Sequence, residues 1–394
     1  MNKYYLKGEL RCLSPLAIGS GAGEFTDKDV LLDSDGKPYI PGSTMAGVCR
    51  HYLEAAFGPD TADVRDLFGG IEGNKSDESR IAFYDAFLKG GFRKGFRDGV
   101  RIGEDGTAED TGKFDCETVE LTGKDSYFTF RVSVDKCTGA DKELLGRMIA
   151  GINGGAIRLG HKAARGFGRV CLSGLREKTV ATARDYIGFT WDGLKEEPDF
   201  LTEAKERSYV VTFRNRSFLT VANNATLEKK EDGGLINAEP VKDASGRAVI
   251  PGSSWAGVFR HHFGTILRRS GALDGAAREE FLDRVFGSTE RASQLIFDES
   301  VLDGAILMQQ TRNAIDRFTG GASDKKLFTN QFAFGGTLTL RVLLRPGLTE
   351  EETARVKNLI DLTVNDLDDG TLNVGAQGSV GAGMLKKIKE EGGL

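Results

Sequence analysis

The sequence predicts an α+β protein in which one domain plan occurs twice, and a repeated motif is the first reason. The stretch "IPGSTMAGVCRH" that contains Pro41 returns as "IPGSSWAGVFRH" at Pro251. Further pairs follow in the same order along the two halves: "DLFGG" and "RVFGS", "RIAFYDA" and "SQLIFDE", "LGHKAARGFGRV" and "VGAQGSVGAGML". Because chance matches would not keep a common order, we interpret the chain as an internal duplication.

The length is the second reason. The chain has 394 residues, which suits two or three domains of ordinary size, and each half of the duplication has the length of one. We predict a first domain over residues 1–190 and a second over residues 208–394. The charged stretch "WDGLKEEPDFLTEAKER" over residues 191–207 is predicted to be a linker.

Hydrophobic periodicity is the third reason. After each proline-glycine motif, apolar side chains recur at helical spacing: Met45, Val48, Cys49, Tyr52, Leu53 and Ala56, then Trp255, Val258, Phe259, His262, Phe263 and Ile266. A helix is therefore predicted after each motif, with Ser43 or Thr44 and Ser253 or Ser254 as its N-cap.

Strands and a second helix complete each half. "YYLKGELRCL" and "SYVVTFRNRSFLTV" mix β-branched, aromatic and polar residues as half-buried strands do, and "YFTFRVSV" and "TLTLRVLL" alternate strictly. "ELLGRMIAGI" and "EETARVKNLIDLT" predict helices. The order predicts a ferredoxin-like βαββαβ core with long insertions in each half.

Composition excludes several classes of protein. No apolar run is long enough to span a bilayer, and the first residues carry no signal-peptide pattern, so we expect a cytoplasmic protein without membrane partners. The five cysteines form no C-x-x-C pair, so no structural zinc is expected. The net charge of −5 requires any nucleic-acid surface to be a local basic strip.

The repeated turn is the first candidate binding feature. A glycine before a helix N-terminus exposes backbone N–H groups at the positive end of the helix dipole, which is where phosphate binds. A capped helix without a ligand is the alternative for a single copy. The candidate contacts are Gly42, Ser43 and Arg50 in the first copy and Gly252, Ser253 and Arg260 in the second.

A basic, glycine-rich segment is the second candidate. "RLGHKAARGFGRV" places His161, Lys162, Arg165 and Arg169 among glycines, so a sugar-phosphate backbone could approach it closely. The matching "NVGAQGSVGAGML" keeps the glycines and lacks the cations. A further basic segment, with Arg312 and Arg317, is either an arm along a nucleic acid or an ordinary exposed hairpin.

Candidate catalytic groups are carboxylates, because no common catalytic motif is present. The stretch "GEFTDKDVLLDSDG" is acidic, and Asp27 in it corresponds to Asn237 in the second half. A solvated acidic loop and a metal-assisted carboxylate both fit this pattern.

These segments in order, among them "SPLAIGSG", "DKDVLLDSDGKPYIPGSTMAGVCR" and "TRNAIDRFTGGASDKKLF", resemble the RAMP superfamily, the repeat-associated proteins of CRISPR systems. The resemblance is greatest to backbone subunits of type III effector complexes. It implies an RRM-like palm with an inserted β-hairpin thumb in each half. It also implies guide RNA, target RNA and other effector subunits as partners.

In cleaving members of the family, an aspartate before the turn supports metal-dependent cutting of target RNA. The resemblance places this role, and the binding of Mg²⁺ or Mn²⁺ together with RNA, on Asp27, with Asp29 as the second candidate. Ala46 and Ala256 replace a lysine that the family usually carries after the turn, which removes one guide contact in each half.

Three functions remain open at this point: a tandem backbone subunit with one cleavage site, a non-catalytic RNA scaffold, and a guide-processing endoribonuclease. Processing would need a general acid–base pair, for which His161 and Lys162 are the candidates. Most backbone subunits are single-domain and polymerise, so a tandem chain implies a fixed, fused stoichiometry.

Overall fold

The computed structural model describes residues 2–19, 29–58, 61–72, 75–102, 108–201, 207–223, 238–288, 290–345 and 347–391. The predicted α+β class is confirmed, because helices pack on antiparallel sheets in both halves. Within the described residues, no helix is both long and apolar enough to cross a membrane.

The first half contains eight strands and four α-helices within its described residues. The strands are β1 (Lys3–Cys12), β2 (Tyr39–Ile40), β3 (Gly70–Glu72), β4 (Lys75–Asp77), β5 (Ile81–Phe83), β6 (Ala86–Ile102), β7 (Ala108–Asp135) and β8 (Val170–Val180). The helices are α1 (Gly42–Phe57), α2 (Ala62–Phe68), α3 (Gly139–Gly154) and α4 (Ala183–Ile187), with 3-10 turns at Ala163–Arg165 and Trp191–Gly193.

The second half contains eleven strands and three α-helices within its described residues. The strands are β9 (Ser208–Asn215), β10 (Phe218–Leu219), β11 (Ala222–Asn223), β12 (Glu239–Pro240), β13 (Val249–Ile250), β14 (Leu295–Phe297), β15 (Ser300–Val301), β16 (Ile306–Ile315), β17 (Ala322–Phe334), β18 (Thr337–Leu344) and β19 (Leu385–Glu391). The helices are α5 (Gly252–Ser270), α6 (Gly275–Phe286) and α7 (Glu350–Asp369), with a 3-10 turn at Gly378–Val380.

The central sheets of the two halves share one strand order. In the first half β7 and β8 flank β1, and β5 pairs with the far edge of β7, all antiparallel. In the second half the order is β14, β18, β9 and β19, again antiparallel. Helices α1 and α3 pack together in one half, and α5 and α7 pack together in the other. Each half therefore has a core of four strands and two helices, arranged in the same order along the chain.

The predicted apolar stripes form the helix-sheet contacts. Met45, Cys49 and Leu53 are the buried large residues of α1, while α5 buries a more aromatic series that includes Trp255 and Phe259. The bulkier second stripe fills the interior of its half with rings in tilted and edge-to-face contact. The helical periodicity of both segments is confirmed.

The predicted N-caps are wrong. Helices α1 and α5 begin at Gly42 and Gly252, and Pro41 and Pro251 precede them without a side-chain cap. The serines and threonine at 43, 44, 253 and 254 therefore lie within the first helical turn. A proline supplies no capping oxygen from its side chain, so the N–H groups need partners from elsewhere in the fold.

Each half also carries a long β-hairpin. Hairpin 1 consists of β6 and β7, which pair from Leu88 and Phe128 outward. Hairpin 2 consists of β16 and β17, which pair from Ile306 and Phe334 outward. The resemblance implies an inserted β-hairpin in each half, and hairpin 2 contains the basic segment with Arg312 for which an exposed hairpin is one of the two predictions.

Part of the predicted linker is packed against the first half. The Trp191 ring meets Tyr5 and Tyr84 edge-on at centroid distances of 5.5 and 5.3 Å. Leu194 is buried, and Phe200 packs against Tyr4. Residues 191–201 therefore cover one side of the first half, and the domain boundaries remain predictions.

Candidate nucleic-acid interface

The first turn is held by an internal carboxylate. The N–H of Gly42 donates to Oδ1 of Asp85 at 2.8 Å. A Cβ at position 42 would lie 2.1 Å from the carbonyl oxygen of Phe83, so a larger residue cannot fit without a backbone shift. An anionic side chain thus already occupies the positive end of α1. Ser43 is exposed beside it and remains open to a ligand.

The second turn is covered by the first half. A Cβ at Gly252 would lie 2.2 Å from the carbonyl oxygen of Phe297, which is the same contact as in the first copy. It would also lie 2.7 Å from the carbonyl group of Arg165. The backbone of the basic loop therefore packs against the start of α5, while Ser253 stays exposed.

The two matched helix arginines bind acidic side chains of their own half. Arg50 donates from Nε to Oε1 of Glu54 at 2.7 Å, one turn further along α1. Arg260 reaches from α5 to α6, where Nη2 lies 2.8 Å from Oδ1 of Asp283. Both side chains remain partly exposed. Their predicted contact with RNA stays a prediction.

Glycine loop 1, defined as residues 158–169, runs between hairpin 1 and the second half. The His161 N–H donates to the Ala17 carbonyl at 2.9 Å, which anchors the loop to the segment that follows β1. Lys162 has a left-handed backbone with φ of 59°. Its Nζ lies 3.1 Å from Sγ of Cys116 on hairpin 1. Arg165 is exposed, whereas His161, Lys162 and Arg169 are partly buried.

A buried ionic cluster joins the two halves. Asp298, in the turn after β14, accepts hydrogen bonds from Arg158, from Arg169 at 2.8 Å and from Arg341 at 3.3 Å. Arg341 also donates to the Gly154 carbonyl at 2.6 Å. Burial alone would raise the pKa of Asp298, but the guanidinium groups of Arg158 and Arg169 hold it below its ordinary value. The carboxylate is therefore ionised and paired.

A second contact of this junction comes from hairpin 1. Arg97 donates to the Lys242 carbonyl and to Oε1 of Glu120, both at 3.1 Å, and lies 3.9 Å from Oε1 of Glu299. Burial raises the pKa of the Glu299 carboxyl to about 7, although Arg97 opposes the shift. Hairpin 1 is thus tied to the segment that leads into α5.

Sequence reasoning misses this junction. It predicts RNA as the partner of Arg169, whereas in the structure the Arg169 guanidinium binds Asp298. It does not single out Arg158 or Asp298 at all. A signal is present for Arg158, which corresponds to Asn373 in the paired glycine-rich segments. The sequence gives none for Asp298, because the paired segments "RIAFYDA" and "SQLIFDE" set it opposite Asp85, and only the contacts of Phe83 and Phe297 with the two turns set it opposite Tyr84.

Hairpin 2 meets glycine loop 2, defined as residues 373–384. Nη1 of Arg312 lies 3.3 Å from Oε1 of Gln377, the residue that matches Lys162. Gln377 has the same left-handed backbone, with φ of 64°. Between hairpin and loop lies an open cleft of about 440 Å³ whose lining includes Arg312, Asn313, Asn330, Gln377, Ser379 and Val380. Arg317 is exposed in the hairpin turn.

The candidate carboxylates are only partly described. Asp27 and its counterpart Asn237 lie outside the described residues. Asp29 is half-buried and interacts with another group. The next residue, Val30, donates its N–H to Oε2 of Glu117 at 3.0 Å. In the described part of the chain, no group of three or more histidine, cysteine or acidic side chains is arranged to hold a metal ion.

Comparison with known proteins gives one family. The model of the RAMP superfamily matches residues 9–171 and 193–386. These two regions cover most of the chain and fall one in each half. No curated protein matches the sequence.

Proposed function

Since the chain belongs to the RAMP superfamily, we propose that it is a two-domain backbone subunit of a type III CRISPR effector. Membership of this family supports the broader role of a CRISPR-associated, RNA-binding protein. In this role each half is a ferredoxin-like, RRM-like domain that binds guide RNA. The first half also cleaves complementary target RNA at one site.

One observation carries the proposal: the same set of binding elements is built twice. In each half a long hairpin contacts a glycine loop at the equivalent residue, Lys162 in the first and Gln377 in the second. The two residues share a left-handed backbone. Two equivalent hairpin-loop sites in one chain suit a ligand that repeats along its length, as a nucleic acid backbone does.

The exposed groups on these elements have the chemistry that RNA requires. Arg165 and Arg317 are exposed cations, and Ser43 and Ser253 are exposed hydroxyls on the two turns. Phosphate contacts from such groups would give affinity that falls as salt rises. The neutral second loop would contribute hydrogen bonds and close backbone approach in place of charge.

The proposed cleavage of target RNA would use carboxylates of the acidic segment before the first turn. Mg²⁺ is usually held by one or two protein carboxylates together with substrate phosphates. Asp27, with Asp29 beside it, offers that donor type, and Mn²⁺ would suit the same oxygens. When bound, the metal stabilises developing negative charge at the scissile phosphate. The role of the chain is to hold the target strand so that a ribose hydroxyl lies in line with that phosphate.

The test uses the assembled complex purified from cells that carry its CRISPR locus. RNA of uniform length should copurify, and the complex should cut a complementary RNA. Asp27→Ala should lower the cutting rate on the order of 100-fold or more, because a metal-binding carboxylate is lost. Target affinity should stay unchanged, as measured by filter binding. Asn237→Ala is the matched control in the second half and should cut normally.

Other outcomes separate the alternatives. Full cutting by Asp27→Ala refutes that assignment and moves the role to Asp29. A wild-type complex that binds target and never cuts it establishes a non-catalytic scaffold. Cleavage of a precursor repeat RNA by the isolated protein would identify a processing endoribonuclease instead.

A further inference from the structure

Positive charge is in excess where the two halves of the chain meet. Arg158 and Arg169 come from glycine loop 1, and Arg341 comes from β18 of the second half. All three donate to the carboxylate of Asp298. We call these four residues the junction cluster. Three guanidinium charges against one carboxylate leave an excess of two positive charges, and all four side chains are buried or largely buried.

A fourth arginine beside the junction cluster adds to this excess. Arg345 lies just past the end of β18, where its Nη1 donates to the Ser293 carbonyl at 3.3 Å. Burial lowers the pKa of Arg345, and the charge of Arg158 lowers it further. Burial also lowers the pKa of Arg158, although the Asp298 carboxylate opposes this shift. Like charges held together away from water are costly unless an anion balances them.

The junction cluster also has more hydrogen-bond donors than its carboxylate can use. Arg158 is 3% exposed, and its Nη1 has no acceptor among the residues that the structure describes. The same is true of the buried Nε of Arg169 in that part of the chain. Buried donors of this kind are usually satisfied by a bound water or ion. The excess of positive charge favours an anion, because water would leave that charge unbalanced.

The donors converge on Gly155, the residue that follows α3. Its backbone is left-handed, with φ of 86°. The three atoms nearest to the Cβ that it would carry are all guanidinium nitrogens: Nη1 of Arg341 at 3.2 Å, Nε of Arg169 at 3.6 Å and Nη2 of Arg158 at 3.7 Å. Since N–H···O bonds span about 2.7–3.2 Å, an anion oxygen close to this point would face donors from three arginines at once.

The matching place in the second half has the same backbone and a neutral neighbour. Gly370 follows α7 and also has a φ of 86°. The nearest atom to the Cβ that it would carry is Cε of Met384, at 3.1 Å. Met384 takes the place of Arg169 in the paired glycine loops. The fold of the loop therefore does not require the arginines that surround Gly155.

Charge and burial select the kind of anion. Guanidinium groups match the oxygens of phosphate in pairs, and a phosphate dianion carries the two negative charges that the junction cluster lacks. The Arg169 side chain is 28% exposed, whereas that of Asp298 is 7% exposed. A ligand can therefore reach the cluster along Arg169, and it must be small to approach the buried Arg158. These features favour a free phosphate ion over the backbone of a polynucleotide.

We propose that the junction cluster binds one inorganic phosphate ion, held between Gly155 and the three arginines. The ion neutralises the excess charge and gives the spare donors of Arg158 and Arg169 their acceptors. Because these arginines come from both halves, bound phosphate stabilises the docking of one half on the other. The site uses none of the exposed groups that the proposed function assigns to RNA, so it does not depend on that function.

The test follows thermal melting of the full chain, dialysed free of phosphate, as inorganic phosphate replaces chloride at constant ionic strength. The melting temperature should rise along a saturating curve, because a ligand that binds only the folded state stabilises it in proportion to its occupancy. Isothermal titration calorimetry with inorganic phosphate should give one site per chain.

Gly155→Ala and Gly370→Ala form a matched pair of variants. Both place alanine in the same left-handed conformation, so both bear the same backbone strain. Only Gly155→Ala adds a methyl group between the arginines. It should lose the saturating rise and the calorimetric site, while Gly370→Ala should keep both.

Arg169→Gln and Met384→Gln form a second pair, which decides the question if Gly155→Ala does not fold. Arg169→Gln removes one charge and one donor and leaves Asp298 with two arginines. Its affinity for phosphate should fall about tenfold or more, since a hydrogen bond to a charged group is lost. Met384→Gln changes the matched position and should bind phosphate like the wild type.

Three results would overturn the proposal. The first is a melting temperature that is equal in phosphate and in chloride. The second is a rise that does not saturate and is the same in every variant, which is the general effect of phosphate on protein surfaces. The third is release of the bound phosphate, one for one, by a single-stranded RNA oligonucleotide, because the site would then belong to the RNA surface.

Discussion

The two glycine loops share a backbone conformation and differ in the charge of their side chains. Both place a non-glycine residue in the left-handed region, Lys162 in one and Gln377 in the other. Where the first loop has Arg158 and Arg169, the second has Asn373 and Met384. The first loop faces a buried carboxylate, and the second faces solvent. The comparison teaches that the glycines preserve the backbone shape of each loop. The charge of the other side chains depends on the surface that the loop faces.

The largest effect is expected from breaking the charged junction. Asp298→Ala would leave the buried guanidinium of Arg158 without its carboxylate, at a cost of about 3–5 kcal/mol in unfolding free energy. Denaturant unfolding followed by fluorescence measures this cost. Asp303→Ala is the control, because the Asp303 carboxylate pairs with Arg247 at the surface. Its effect should stay below about 1 kcal/mol. Equal effects of the two variants would show that the buried cluster does not hold the halves together.

The repeated turns give a matched pair of backbone tests. Alanine at Gly42 or Gly252 would place a Cβ about 2 Å from a carbonyl oxygen, so each variant should lose several kcal/mol of stability. Gly252→Ala should lose more, because it also displaces the carbonyl of Arg165 from the other half. Thermal melting compares the two. If Gly42→Ala were the more destabilised, the packing of glycine loop 1 on α5 would be contradicted.

The same helices contain the controls for this test. Gly47 in α1 and Gly257 in α5 lie in helical interiors, and nothing lies within 4 Å of the Cβ that alanine would add at either position. Each alanine variant should therefore stabilise the protein by about 0.5–1 kcal/mol, because it lowers the entropy of the unfolded chain.

A pH dependence of stability is also expected at the junction. The pKa of Glu299 is raised from 4.5 to about 7 in the folded protein. At pH values between these two, the folded state therefore binds a proton that the unfolded state has lost. Stability should fall as pH rises through this window. Glu299→Gln should remove that part of the slope and raise stability above pH 7 by at most about 3 kcal/mol. Melting temperatures measured from about pH 4 to about pH 8 test this expectation.

Asp85→Asn is the comparison for the pH experiment, since Asp85 is the exposed counterpart of Glu299. The amide oxygen can still accept the Gly42 N–H, so this variant should keep the wild-type slope between pH 4.5 and 7 (the values for Glu299). If Glu299→Gln also keeps the slope, the buried carboxyl does not titrate in this window.

The sequence is sufficient for features that depend on local pattern. The apolar spacing of α1 and α5 and the alternation in β7 and β18 predict these elements, because a helix or strand buries one face at a fixed period. The duplication follows from the order of its landmarks. Hairpin 2 contains the segment with Arg312 and Arg317, for which an exposed hairpin is one of the two predictions.

Features set by distant residues cannot be predicted in this way. The partner of the Gly42 N–H is Asp85, which lies on another segment of the chain, whereas the local pattern favours Ser43 or Thr44 as the cap. The ion pair between Arg169 and Asp298 is missed for a related reason. A guanidinium binds carboxylate and phosphate with the same geometry, and only the fold brings Asp298 to it.

The packed connection between the halves has a consequence for how the two halves stay together. Residues 191–201 lie against the first half, so the two halves are held on a short tether. A tether gives the internal junction a high effective concentration, and that junction forms however dilute the protein is. The two halves of one chain should therefore stay docked at dilutions that would separate two independent domains.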